Sequence, residues 1–297
     1  MSDIFIYQIL NHYTKREDLD PGFLVLDNSS NAKPDWYEYW PIRHFLVHER
    51  LDEDAFYGFV SPKFKQKTNL SAAAARAFVS DQSSDTHVVL LSPSIHLTAY
   101  YWNVFKFGDS VHPGLLTVAD RFFRSIGQPT NLHDLVTNSS NEVYSNYMIA
   151  RPRFWRAWLD VTEQLYAIAE SPTDPLGEKL REATSYRGRR DVHMKIFIME
   201  RIATWILARD AQFNPKVRDP FVARTRIYKL PGAIVCDALK VAYVTSGRKA
   251  EYRDLFNLVS RFGRFLSWQV RIGLFLSGSV RSCVKTLSSY WTTTGQS

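Results

Sequence analysis

Asp27 and Asn28 close one apolar run and are soon followed by four aromatic rings, Trp36, Tyr37, Tyr39 and Trp40; a later apolar run over residues 55–60 ends in Ser61-Pro62-Lys63. Short polar side chains beside flat rings suit a ligand that carries hydroxyls, a ribose and a base. Loops at the carboxyl ends of strands are also where open α/β sheets hold ligands. The block over residues 26–64 therefore reads as a nucleotide-sugar pocket. The same DNSSN stretch equally suits a plain loop, because Asn and Asp hydrogen-bond their own backbone in turns.

Other spacings carry less chemistry. His44 and His48 are four apart, as in zinc proteases, but Phe-Leu-Val lies between them and the Glu that would act as base is absent. Asp52-Glu53-Asp54 spells an acidic triplet of the kind that holds a divalent ion against a diphosphate. It precedes its strand, however, whereas such a ligand belongs at a strand's end, and it reads better as a solvated loop. No phosphate-binding P-loop, no G-x-G-x-x-G and no G-x-S-x-G elbow occurs. Glu200-Arg201 interrupts an apolar helical stripe of Ile196, Met199, Ala203 and Ile206, so the charged pair either points into a cleft or forms a surface ion pair. Asn146, entering an apolar run, either caps a strand or reaches a ligand.

The elements that must position these groups alternate. Strands are predicted over residues 4–10, 22–26, 55–60, 87–91 and 144–150. Helices are predicted over 36–49, 71–80, 115–126, 152–169 and 195–208, the fourth with Pro152 in its first turn. Residues 171–192, with two prolines, two glycines and many charges, read as a mobile surface loop. Ser61-Pro62-Lys63 and Ser92-Pro93-Ser94 close two strands and are expected on one rim. The alternation of strands and helices indicates an α/β sheet domain.

With 45 % apolar residues in 297, the chain can bury a sizeable core. Its two cysteines, Cys236 and Cys283, lack metal-ligand spacing and suit packing in a reducing cytosol. No basic n-region with a long apolar stretch opens the sequence, and no run of roughly 18 uncharged apolar residues appears. From Thr245 onward, eight Lys/Arg face two acids, a net +6 of the chain's +7. A near-neutral body with a basic end argues against a nucleic-acid surface and for a local anionic partner. The tail is predicted as a helix over about 252–285, with Arg261, Arg264 and Arg271 beside Trp268 and with Phe262, Phe265, Leu266, Ile272 and Leu276 on the adjoining arc. That pattern suits a membrane interface, and equally a helix packed on the body with a solvated Arg face. The expected division is a catalytic body over 1–230 and a helical, basic amphipathic, membrane-associating segment over 231–297.

Asp27-Asn28, Tyr37-Glu38-Tyr39-Trp40, the turn at Val60-Ser61-Pro62-Lys63, His112 before an acidic helix, Asn146-Tyr147-Met148-Ile149 with the aromatic helix after it, and Glu200-Arg201-Ile202 leading to Trp205-Ile206-Leu207 follow in a telling order. That order, over residues 4–208, resembles the bacterial capsular-polysaccharide and O-antigen glycosyltransferase family with a GT-A-like fold, which implies a Rossmann-like mixed sheet flanked by helices. The family's basic turn is His-Tyr-Arg-Arg where this chain has Val-Ser-Pro-Lys, which implies a distinct branch with another donor sugar. The resemblance implies a nucleotide-sugar-dependent transferase building a lipid-linked surface polysaccharide at the inner face of the cell membrane. It implies Glu200 as catalytic base, and acceptor contacts from His112 and Arg201. Donor contacts are expected from Tyr7, Gln8, Asp27, Asn28, Trp40, Arg43, Ser61, Lys63, Asn146 and Lys195, with Lys63, Arg43 or Lys195 serving the diphosphate. No residue is assigned to a metal, although the reaction could recruit magnesium or manganese. The alternative is a non-catalytic, membrane-associated scaffold that binds carbohydrate or protein.

Overall fold

The computed structural model describes residues 2–92, 95–186, 189–219 and 230–276, and the side chains of all of these except 185, 186, 189–191, 230 and 265–276. In chain order the elements of the body are β1 (Ile4–Asn11), β2 (Leu24–Asn28), α1 (Tyr39–His48), β3 (Phe56–Val60), α2 (Phe64–Thr68), α3 (Ala72–Ser80), β4 (Val88–Leu90), α4 (Val104–Val111), α5 (Leu115–Ser125), β5 (Met148–Ala150), α6 (Pro152–Glu170), α7 (Pro175–Arg181), β6 (Ala183–Tyr186), β7 (Arg189–His193), α8 (Met194–Arg209) and β8 (Pro215–Val217). Two further helices, α9 (Leu230–Thr245) and α10 (Lys249–Leu276), follow.

The main sheet has six strands in the order β2-β1-β3-β5-β4-β8. β1 runs parallel to β2 and β3, β4 runs parallel to β8, and β5 is antiparallel to both β3 and β4. Every residue of β3, β4 and β5 is buried, as expected of short, continuously apolar strands covered on both faces. Their alternation sorts side chains between two cores. Val88, Leu90, Met148, Ala150, Tyr57 and Phe59 face α1, α4, α5, α6 and α8. Val89, Leu91, Tyr147, Ile149, Phe56 and Val60 face the smaller layer of α2 and α3, through Phe64, Ala72, Ala75 and Val79. This is an α/β fold, as the alternation predicts, built on a mixed sheet flanked by helices.

Several stretches depart from expectation, among them the unpredicted helix α2 and residues 144–147, which turn into a β5 that begins only at Met148. Residues 171–192 are not a loop: Asp174 accepts from the amides of Leu176 and Gly177, Pro175 opens α7, and a β6–β7 hairpin follows. An Asp-Pro start is a strong helix signal, and the surrounding charges obscured it. α4 was missed because aromatic residues blur its period; Asn103 caps it by accepting from the amides of Phe105 and Lys106, both at 2.9 Å. β8 has only three residues and exists because the edge of β4 needs a partner.

The chain after residue 230 packs on the body. α9 and α10 form a helical hairpin whose inner side meets the 99–102 segment through Ala233, Cys236 and Phe256. Lys240 and Glu142, 0 % and 1 % exposed respectively, lie 3.2 Å apart. The Glu142 carboxylate also accepts from Thr137 at 2.7 Å, and from Thr98. Trp102 donates to Asn257 at 3.2 Å, and Gly263 comes so close to the Tyr100 ring that a Cβ there would sit 2.1 Å from it. Arg264, expected on the outward Arg face, turns inward and donates to the Tyr100 carbonyl at 2.5 Å. The expected partners Phe265, Leu266, Trp268, Arg271, Ile272 and Leu276 lie outside the residues whose side chains are described, and residues 277–285 of the predicted helix, with Cys283, lie outside the described chain.

A buried ion pair broken on one side leaves an uncompensated charge, at a cost of about 3–5 kcal/mol. Glu142→Ala should therefore lower unfolding stability by about that amount in urea titration, and Glu142→Ala with Lys240→Met should recover most of the loss.

Candidate functional site

β1, β2, β3 and β4 all leave the sheet at one edge, and β5 enters there because it runs the other way. That rim collects the polar residues at the strand ends. Asn11 of β1 and Asn28 of β2 are in register, and both are buried. Asn28 donates to the Asn11 amide oxygen at 3.3 Å, and Asn11 donates to the Tyr13 hydroxyl at 3.1 Å. This relay orients a Tyr13 ring that is 67 % exposed. At the end of β3, Ser61 shares a hydrogen bond with the Tyr147 hydroxyl. Beyond β4, Ser92 accepts from the Tyr144 amide at 2.9 Å, and Pro93 and Ser94 lie outside the described residues. The two strand-end turns thus flank the entry to β5.

That entry is strained. Ser145 and Asn146 both adopt positive φ, 59° and 52°. Left-handed backbone at non-glycine residues costs of order 1–3 kcal/mol each and clusters at functional sites. Lys67 of α2 donates to Ser145 Oγ at 3.1 Å and sits 5.2 Å from the Tyr147 ring centre. Asn146 is buried, and its amide oxygen has no hydrogen-bond partner among the described residues. An unsatisfied buried acceptor calls for an explanation, and a ligand donor would supply one.

Two carboxylates complete the cluster. Glu38 precedes α1, directly after Tyr37, whose φ of 48° bends the chain. Glu200 lies in the middle of α8. Each is half-buried and desolvated by the surrounding protein. Desolvation raises both, and the charge of Glu200 raises Glu38 further. Lys67 and Lys63 pull Glu38 back and leave it at about 7. Glu38 and Glu200 also feed into the raised value of Tyr147, and Glu38 into that of Tyr13. Tyr13, Glu38, Lys63, Lys67, Tyr147 and Glu200 therefore share one electrostatic neighbourhood.

Of the residues singled out in the sequence, the rim brings together Asn28, Ser61, Lys63, Asn146 and Glu200. Arg43, Trp40 and Lys195 gather elsewhere, where α1 meets α6 and α8. Arg43 grips both carboxylate oxygens of Glu163 at 2.6 Å, with its guanidinium 5.6 Å from the Trp40 ring. Lys195, fully buried, donates to Asp35 at 2.5 Å and lies 4.0 Å from the Trp36 ring centre. Both cations are satisfied by protein. Tyr7 packs its ring on Phe45 and Phe59. Gln8 is a buried clamp that accepts from the Asp20 amide at 2.8 Å and donates to the Ser61 carbonyl at 3.3 Å. Asp27 accepts from the Ser29 amide at 2.8 Å. His112 stacks on Phe197 at 3.6 Å. Arg201 donates to the Val104 carbonyl at 2.9 Å, across Gly108, where a Cβ would meet its guanidinium at 2.7 Å. These side chains brace the walls and the helices beside the rim.

Asn11, Tyr13, Glu38, Lys67 and Tyr147 were not assigned roles from sequence. Glu38 and Tyr147 stand within the stretches that carry the family resemblance, and Asn11 and Tyr13 follow the first strand directly, where a sheet ligand would sit. Lys67 carried no signal, since α2 was not predicted. Asp52-Glu53-Asp54 precedes β3 at the opposite edge, with Asp52 accepting from the Asp54 amide and Glu53 paired to Arg156. Among the described residues no group of three or more His, Cys, Asp or Glu is arranged to hold a metal ion. Comparison of the chain with protein-family models, curated proteins and solved structures gives no match.

A carboxyl raised from 4.5 to about 7 keeps its proton in the folded state over a window where the unfolded chain has lost it. That contribution is fully present below 4.5 and is lost as pH rises towards 7. Glu38→Gln should flatten this decline, so that the urea midpoint of the variant overtakes that of the parent as pH climbs through the window.

Proposed function

We propose that this chain is a glycosyltransferase that moves a sugar from a nucleotide-activated donor to a lipid-linked bacterial surface polysaccharide. The observation that carries this reading is the Glu38–Glu200 carboxylate pair beside Lys63 and Lys67 at the carboxyl rim of an α/β sheet. Sugar transfer makes two demands of a site: a base for the acceptor hydroxyl, and positive charge for the departing diphosphate. Glu200 takes the hydroxyl proton as the acceptor oxygen bonds to the anomeric carbon. The bond from that carbon to the diphosphate oxygen breaks, and its electron pair leaves with the nucleotide. Lys63 and Lys67 neutralise that charge. Glu38, raised by burial to about 7, can carry a proton and so limits the repulsion between the two carboxyls. Exposed Tyr13 and Tyr37 offer faces for a base, and the Asn146 amide oxygen accepts from a donor hydroxyl.

The fold supports the reading in a general way, since a parallel sheet interrupted by one antiparallel strand suits the GT-A-like architecture expected from the sequence. The rim position of Ser61, Lys63, Asn146 and Glu200 adds to it.

Screening the full chain against nucleotide sugars by thermal shift should find a stabilising donor. Lys63→Ala and Lys67→Ala should each weaken its binding about tenfold, the loss of one charge-assisted hydrogen bond. Glu200→Gln should abolish transfer while leaving donor binding intact and the protein folded; polymer production that survives this change points to the scaffold instead.

A chelator should alter donor binding little. Activity lost on chelation and restored only by manganese or magnesium would mean that a carboxylate assigned to proton transfer is instead a metal ligand.

A further inference from the structure

α10 is held to the body by one side, through Phe256, Ser260 and Gly263. Its opposite side should then be polar if water alone covers it. It is not. Leu255, Leu258 and Phe262 are exposed there, the last two at 69 % and 65 %, at i, i+3 and i+7 spacing that aligns them in one stripe. On α9, close to the turn between the helices, Val241 and Val244 are exposed as well. Scattered exposed apolar residues are ordinary, whereas an aligned set on one hairpin marks an interaction surface.

The charge around the stripe identifies what covers it. Arg248 and Lys249 stand at the hairpin turn, and Arg261 is exposed next to Phe262. The two nearby acids are engaged by basic neighbours, Glu251 with Arg248 at 3.4 Å and Asp254 with Arg253 at 3.9 Å. From Leu255 to Arg264 the chain carries no acid, and Arg261 is its exposed cation, since Arg264 turns to the body. A second copy seated on this face would bring those cations against their counterparts, which disfavours self-association. Apolar side chains rimmed by cations match the boundary between acyl chains and anionic headgroups.

We propose that the outer face of the α9–α10 hairpin docks reversibly on an anionic lipid bilayer, with Leu258 and Phe262 entering the acyl boundary and Lys249 and Arg261 lying against phosphate headgroups. Among the described residues no helix is long and apolar enough to cross a membrane. The docking face differs from the arc expected from sequence alone, because Arg264 faces the body. The inference does not depend on sugar transfer and would hold for a scaffold equally well.

Flotation of the full chain with vesicles tests it, using phosphatidylcholine alone or mixed with phosphatidylglycerol. The protein should float with the anionic vesicles only, and added salt should release it. Leu258→Glu with Phe262→Glu, and separately Arg261→Glu, should each reduce the bound fraction about tenfold. Val47→Glu, at an exposed apolar residue on α1, should leave binding unchanged, and all variants should melt with the parent. Equal flotation with both vesicle types, or undiminished binding by the double variant, overturns the proposal. So does a parent that ignores vesicles but sediments as a dimer which Leu258→Glu dissociates, because the stripe would then be a contact between copies of this chain.

Discussion

An antiparallel strand wedged between two parallel ones must enter the sheet at the edge where its neighbours leave it. In this chain β5 occupies that place, and its lead-in, residues 144–147, is carried into the gap between the turns that end β3 and β4. Backbone conformation there follows from the need to turn sharply into a fully buried strand, and two consecutive left-handed residues supply the turn. Tyr147 then points to the α2–α3 side while its hydroxyl reaches Ser61. Lys67 and the Asn146 amide come to the rim through the same reversal. Were β5 parallel, its lead-in would lie at the far edge, beside the Asp52–Asp54 loop.

Burial divides the cations of the body into two kinds. Lys195 and Arg43 are sequestered between helices, and each is neutralised by a carboxylate and set against an aromatic ring. Removing the Lys195 charge from water is costly, so its partners are structural requirements. Lys63 and Lys67 are exposed beside two carboxyls that are themselves desolvated. Desolvation raises both Glu38 and Glu200, and the charge of Glu200 raises Glu38 further, which sets the two apart from the paired carboxylates of the body.

The hairpin after residue 230 obeys the same rule of satisfied burial. Glu142, in the loop that leads to β5, is bonded at once by Thr98, Thr137 and Lys240. Asp237, raised by burial, is held by the Ser139 amide at 2.8 Å. The segment that frames the rim is thus braced from behind by α9, and the hairpin is joined to the site's scaffold even though its outer face has a separate character.

β1 to β5 and the helices α1, α3, α5, α6 and α8 were legible in the sequence because they are written in local periodicity: residues 4–10 and 55–60 read as apolar runs, the run over 144–150 holds β5 in its last three residues, and Ser71 and Pro152 mark helix starts that the backbone obeys. Basic charge concentrated at the chain end was equally plain. α7 and the β6–β7 hairpin were hidden by a polar composition that local reading equates with loop, although an Asp-Pro cap was present. Which charged residues meet could not be read, because Arg43 and Lys63, or Glu163 and Glu200, are alike in type and differ only in what the fold packs against them. Glu38 was visible as one acid among aromatics, and only its enclosure near Glu200 distinguishes it. Sequence by itself determined the elements and their alternation, since these depend on neighbours within a turn or two. The tertiary structure alone decided which side chains lose water and which keep it, because desolvation is set by residues as distant in the chain as Glu38 and Glu200.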